Sequence, residues 1–170
     1  MKIKKHKDDP NLSGEHPQGD FGQMLFLTVF VIVWILDSFV LKYTVFLSDY
    51  IPLYVRIILS AVTFIIFFSL MRQGLRTVFK EKRDKPVVIR EGIFKFIRHP
   101  IYTASVLFYL VFIFLTFSII SIIVWIIIIA FFYYIARYEE KILLEEFGSE
   151  YERYMKEVPM FIPFSKKRKN

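Results

Sequence analysis

Arg98 and His99 open a run of 37 residues, Pro100 to Ala136, that holds no Asp, Glu, Lys or Arg, and Arg137-Tyr138-Glu139-Glu140 closes it. Tyr102 sits just inside the opening. Carboxylates can hold an ammonium or a sulfonium, and an arginine can hold a carboxylate in its planar fork. Brought together, these residues would suit a zwitterionic or cationic ligand. The plainer reading is a salt-bridge cap at a membrane interface. Adjacent glutamates point about 100° apart on a helix, so Glu139 and Glu140 would serve different partners, leaving one of them free to face water.

Whether the two ends meet depends on how the run is folded. One straight helix of this length would measure roughly 55 Å at ~1.5 Å per residue, against a hydrocarbon core of ~30 Å. The run must turn back, and two spans of about 18 residues would meet near Phe117 and Ser118. That hairpin returns Glu139 and Glu140 to the face where Arg98 and His99 begin. Two further apolar stretches, about Met24 to Tyr43 and Ile51 to Met71, are joined by a short loop with Ser48, Asp49 and Pro52. The expected fold is an all-α integral membrane protein of four transmembrane helices in two hairpins.

Outside the spans, Lys and Arg number four in the N-terminal segment, one near the first turn, nine from Arg72 to Arg98, none in the second turn and eight from Arg137 onward. By the positive-inside rule both termini and the middle loop are expected in the cytoplasm, with the tight turns outside. The charge cluster then faces the cytoplasm.

Composition fits this class, with 55% hydrophobic and 19% aromatic residues. The absence of cysteine excludes disulfides and thiolate chemistry. The net charge of +7 is concentrated beside apolar stretches, where anionic headgroups are the simpler partner, so nucleic acid is not expected. No metal site is expected, because His6 and His16 lie in a polar segment without partner ligands. Residues 1–22 do not read as a cleaved signal peptide. The Asn11-Leu12-Ser13 sequon is discounted by the cytoplasmic topology.

Within the middle loop, Leu75 to Lys82 is compatible with continued helix, Pro86 to Ile89 reads as extended, and Gly92 resets the chain. After Glu140, the apolar positions Leu143, Leu144, Phe147, Tyr151, Tyr154 and Val158 describe an amphipathic helix lying on the interface, with a break at Gly148. Lys166 to Lys169 form a basic, lipid-binding tail. Asp37 and Arg56 are centred on the first turn and are expected to pair between neighbouring helices. A single membrane domain is expected over 1–170: a polar segment 1–22, a first hairpin 24–71, a cytoplasmic loop 72–99, a second hairpin with the C-terminal helix 100–163, and a basic tail 164–170.

The segment Gly92-Ile-Phe-Lys-Phe-Ile-Arg98-His99-Pro100-Ile-Tyr102, then Glu139-Glu140, then Phe147-Gly-Ser-Glu-Tyr151, Tyr154 and Val158-Pro-Met-Phe-Ile-Pro163 resembles the isoprenylcysteine carboxyl methyltransferase and phospholipid methyltransferase family over about residues 86 to 163. The resemblance implies an S-adenosylmethionine-dependent membrane methyltransferase. Its cofactor would lie at Arg98, His99, Pro100, Tyr102, Glu139 and Glu140, with Arg98 and Glu140 as the catalytic pair. Its acceptor would be lipidic or small and apolar: an isoprenylcysteine-like carboxylate, a thiol or a phospholipid amine. No glycine lies between Gly92 and Gly148, so the Gly-x-Gly element frequent in the phospholipid branch is missing, which argues against phosphatidylethanolamine. The expected location is a prokaryotic plasma membrane with the site facing the cytoplasm. Two other readings remain open from sequence: a membrane reductase using NADPH, and a non-catalytic membrane scaffold.

Overall fold

Pro100 and Phe117 set the limits of the helix around which the others pack. The computed structural model describes residues 19–79 and 87–163. Among these residues every regular element is helical. α1 (Gly19–Ile35) continues into a π-helical turn, Leu36–Leu41, and is followed by the short α2 (Leu47–Tyr50) and the long α3 (Leu53–Phe79). A 3-10 turn at Gly92–Lys95 precedes α4 (Pro100–Thr116), α5 (Ile119–Phe147) and α6 (Ser149–Glu157). His6, His16, the Asn11 sequon, Lys80 to Lys82 and the basic tail lie outside the described residues.

Proline at the first position of α4 costs no hydrogen bond, because that N–H has no intrahelical partner. Phe117 ends the helix in the left-handed region at φ 50°, its N–H donating to the Ile113 carbonyl at 2.6 Å. Ser118 then caps α5, its hydroxyl accepting from the Ser121 N–H at 3.1 Å. The turn thus falls on the two residues the uncharged run singled out. The arms are unequal, 17 and 29 residues, because α5 runs through Glu139 and Glu140 as far as Phe147.

Among the described residues, three helical stretches are long and apolar enough to cross a membrane: Phe21–Leu41, Leu53–Phe79 and Ile119–Phe147. α4 is shorter, and none of its residues is exposed. It is apolar on every side because every side is covered by protein. α3 makes the most extensive contact with it, while α1 and α5 bring in Phe30, Ile128 and Phe132 to bury Tyr109 and Ile113. Gly22 permits the close approach of α1 to α5, since a Cβ there would lie 2.4 Å from the Phe131 ring.

Both tryptophans point inward. Trp34 Nε1 donates to the Phe112 carbonyl at 3.1 Å and to Thr116 Oγ1 at 3.0 Å, and Trp125 Nε1 donates to the Val106 carbonyl at 2.9 Å. They tie α1 and α5 to the central helix.

The expected Asp37–Arg56 pair does not form. Asp37 accepts from the Thr44 N–H (3.1 Å), the Thr44 hydroxyl (2.6 Å) and the Ser118 hydroxyl (2.6 Å). Arg56 NH1 instead donates to the Leu115 carbonyl at 3.0 Å, one of the carbonyls a helix leaves unpaired in its last turn. Both side chains reach the region of the α4–α5 turn, but hydroxyls and a helix terminus outcompete the opposite charge.

The break expected at Gly148 is present. Gly148, at φ +54°, breaks the chain between α5 and α6 where a side chain would be strained. The apolar stripe of α6 is then spent on the protein itself: Tyr151, Tyr154 and Val158 are buried against Val88, Leu143, Phe147 and Met155.

Candidate active site

The α4–α5 hairpin brings Arg98, His99, Tyr102, Glu139 and Glu140 together. Both glutamates are buried, at 9% and 2% exposure, so neither faces water. Tyr102 reaches Glu139 and Arg98 reaches Glu140, but His99 contacts both, so the expectation that they serve different partners holds only in part. Tyr102 donates its hydroxyl to Glu139 Oε1. Arg98 Nε and NH2 both reach Glu140 Oε1 at 2.7 Å. His99 lies between the carboxylates, with Nε2 3.3 Å from Glu140 Oε1 and Nδ1 3.8 Å from Glu139 Oε2. Its ring stacks parallel to Tyr102 at 5.7 Å. Pro100 is buried and starts α4, which fixes the direction in which Tyr102 leaves the helix.

A C-terminal strap completes this cluster. The Arg98 and His99 N–H groups donate to the Pro159 and Met160 carbonyls at 3.0 and 3.1 Å. Arg98 NH1 donates to the Met155 and Val158 carbonyls at 2.7 and 2.6 Å. Thr103 Oγ1 donates to the Phe161 carbonyl at 3.3 Å, and the Phe161 ring lies 5.9 Å from His99 and 6.4 Å from Tyr133. Arg98 therefore uses Nε and both terminal nitrogens to join the α4 start, α5 and the strap.

Beneath the strap, Tyr154 donates to the Phe94 carbonyl at 2.7 Å, and Arg90 lies over the Tyr154 ring at 5.2 Å while pairing with Glu157. Burial pushes the phenols of Tyr151 and Tyr154 above their usual range, and the Glu140 charge adds to the effect at Tyr151. Both stay protonated donors.

Two features carry no sequence signal of comparable strength. Arg137, one helical turn before Glu140, places NH1 3.7 Å from Glu140 Oε2 while its side chain remains 52% exposed; i,i+3 pairs of this kind are common on any helix. Next to the cluster, an apolar groove of about 260 Å³ runs between α1, α3, α4 and α5, lined by Met24, Leu27, Phe67, Met71, Phe108 and Phe132. The Phe132 ring lies 5.4 Å from Tyr102, so groove and charges share a wall. Among the described residues no group of His, Asp and Glu is arranged to hold a metal ion.

The described residues thus form an all-helical bundle with a buried charge cluster beside an apolar groove. A family model described as phospholipid methyltransferase matches residues 52–150, more than half of the chain. The protein belongs to that family, and is a membrane methyltransferase. The match takes in α3 through the start of α6, so the resemblance extends further toward the N-terminus than the motifs alone indicated. Comparison with curated proteins and with solved structures returns no match.

The family implies S-adenosylmethionine, and the residues present fit it. Glu140 Oε2 is buried and accepts no hydrogen bond, an acceptor suited to an ammonium. Two carboxylates and the aromatic faces of Tyr102, His99 and Phe161 offer a sulfonium the surroundings it needs.

Proposed function

We propose that this chain transfers the methyl group of S-adenosylmethionine to a lipidic or small apolar acceptor at the cytoplasmic face of the membrane. The acceptor classes are an isoprenylcysteine-like carboxylate, a thiol or a phospholipid amine. The observation that carries the reading is the single buried cluster of Arg98, His99, Tyr102, Glu139 and Glu140, sharing the Phe132 wall with an apolar groove. The groove takes the acceptor's apolar part, and the cluster takes the cofactor.

When bound, the cofactor supplies a methyl group already activated by its sulfonium. The protein's work is alignment and exclusion of water. Glu140, held by Arg98, offers its second oxygen to a cation. Tyr102 fixes Glu139, and His99 keeps the two carboxylates apart. Arg98 acts through Glu140 and the strap and is a positioning residue, since its nitrogens are engaged by protein acceptors. A carboxylate or thiolate acceptor needs no proton removed, whereas an amine would give its proton to His99 or one of the glutamates.

The test is a calorimetric titration of the purified protein in detergent with S-adenosylmethionine and, separately, NADPH. Micromolar binding of the first and none of the second is expected, with Glu140→Gln binding at least about tenfold more weakly. NADPH binding alone would establish a reductase, and binding of neither would leave a scaffold. Unchanged affinity in Glu140→Gln would remove that residue from the site.

A further inference from the structure

We propose that Arg137 recognises the carboxylate at the amino-acid end of the cofactor, leaving Glu140 Oε2 as the neighbouring ammonium arrives there. This inference rests on the S-adenosylmethionine reading above. Among the described residues, three basic side chains lie within ionic reach of Glu140: Arg98, His99 and Arg137. Arg98 is 8% exposed and spends its donors on Glu140 and on the Met155 and Val158 carbonyls. His99 is 7% exposed, with a carboxylate facing each ring nitrogen. Neither can turn to a ligand without stripping a buried partner.

Arg137 is different on each count. Its side chain is 52% exposed, and its contact with Glu140 Oε2 is an ion pair at 3.7 Å that is too long for a hydrogen bond. The guanidinium is half exposed and no hydrogen bond holds the pair, so Arg137 can turn to a ligand while the incoming ammonium keeps Glu140 paired. Glu140 Oε2, buried and accepting nothing, is the acceptor left behind.

An α-amino acid end carries a cation and an anion a few ångströms apart. Laid against this pair, its ammonium replaces the guanidinium on Oε2, and the freed fork of Arg137 takes its carboxylate in two charge-assisted hydrogen bonds. Both ligand charges are then met by groups that were only loosely engaged with each other.

The test compares two probes by calorimetry on the full chain in detergent. S-adenosylhomocysteine keeps the amino-acid end, and 5′-methylthioadenosine keeps only the nucleoside thioether. Arg137→Gln is expected to weaken the first by about tenfold or more and to leave the second within about twofold. Arg137→Lys, which keeps the charge without the fork, should fall between Gln and the parent. Equal weakening of both probes, or an unchanged affinity for S-adenosylhomocysteine, overturns the assignment. Failure of the parent protein to bind either probe overturns the S-adenosylmethionine reading instead.

Discussion

Asp37 and Glu140 are both carboxylates buried near helix ends, at 3% and 2% exposure, yet they are satisfied in opposite ways. Asp37 receives three hydrogen bonds from neutral donors, Thr44 and Ser118, spread over both oxygens. They pin the first turn to the α4–α5 turn. Glu140 has two arginines and a histidine as neighbours, but all its hydrogen bonds fall on Oε1. A buried acceptor left without a donor costs about 1–3 kcal/mol, so the second arrangement is the one that leaves room for a ligand. Burial of charge does not by itself separate the two ends; the unpaired Glu140 Oε2 is what the proposed site uses, while Arg56 Nε and Ser121 Oγ at the other end are also buried without a partner.

Arg98→Ala should have the largest effect and probes this contrast directly. Removing the guanidinium leaves Glu140 buried without its main counter-charge and releases the strap, costing about 3–5 kcal/mol. Thermal unfolding should show that loss, and cofactor affinity should fall with it. A destabilised protein with unchanged affinity would make Arg98 a brace and nothing more. Asp37→Ala comes next: three donors lose their acceptor, at about 2–4 kcal/mol in all. Here the folded fraction should bind cofactor within about twofold of the parent. A loss as large as that of Arg98→Ala would erase the distinction between the two ends.

The smallest effect is a pH dependence under the strap. Folding raises the phenol pKa of Tyr151 and Tyr154, so above about pH 10 the unfolded chain releases protons that the folded chain keeps. Stability is fully present below that pH and declines above it. Melting temperatures between pH 8 and 11 should fall less steeply in Tyr154→Phe than in the parent. Parallel curves would show that this phenol does not contribute.

The contrast also explains what the sequence disclosed. The hairpin, its turn at Phe117 and Ser118, and the meeting of Arg98 with Glu140 were legible because an uncharged run longer than a bilayer permits few foldings. The Asp37–Arg56 pairing was misread because equal depth in a membrane says nothing of competing hydroxyls or of unpaired carbonyls at a neighbouring helix end. The stripe of α6 marked a face to be covered and was assigned to the membrane interface; its buried tyrosines pack on the protein, and Val88, distant in sequence, provides part of that surface. Arg137 was quoted only as a boundary, since an arginine three residues before a glutamate carries no signal by itself.

The strap held by Arg98 also bears on the order of assembly. Met155, Val158 and Phe161 leave the ribosome only after α5 has been made, and Arg98 cannot fill its coordination until they arrive. A nascent chain ending before them would carry the hairpin and both glutamates in a half-built form. The hydrogen bonds by which Arg98 joins the start of α4 to the strap therefore form only after the chain beyond α6 has been synthesised.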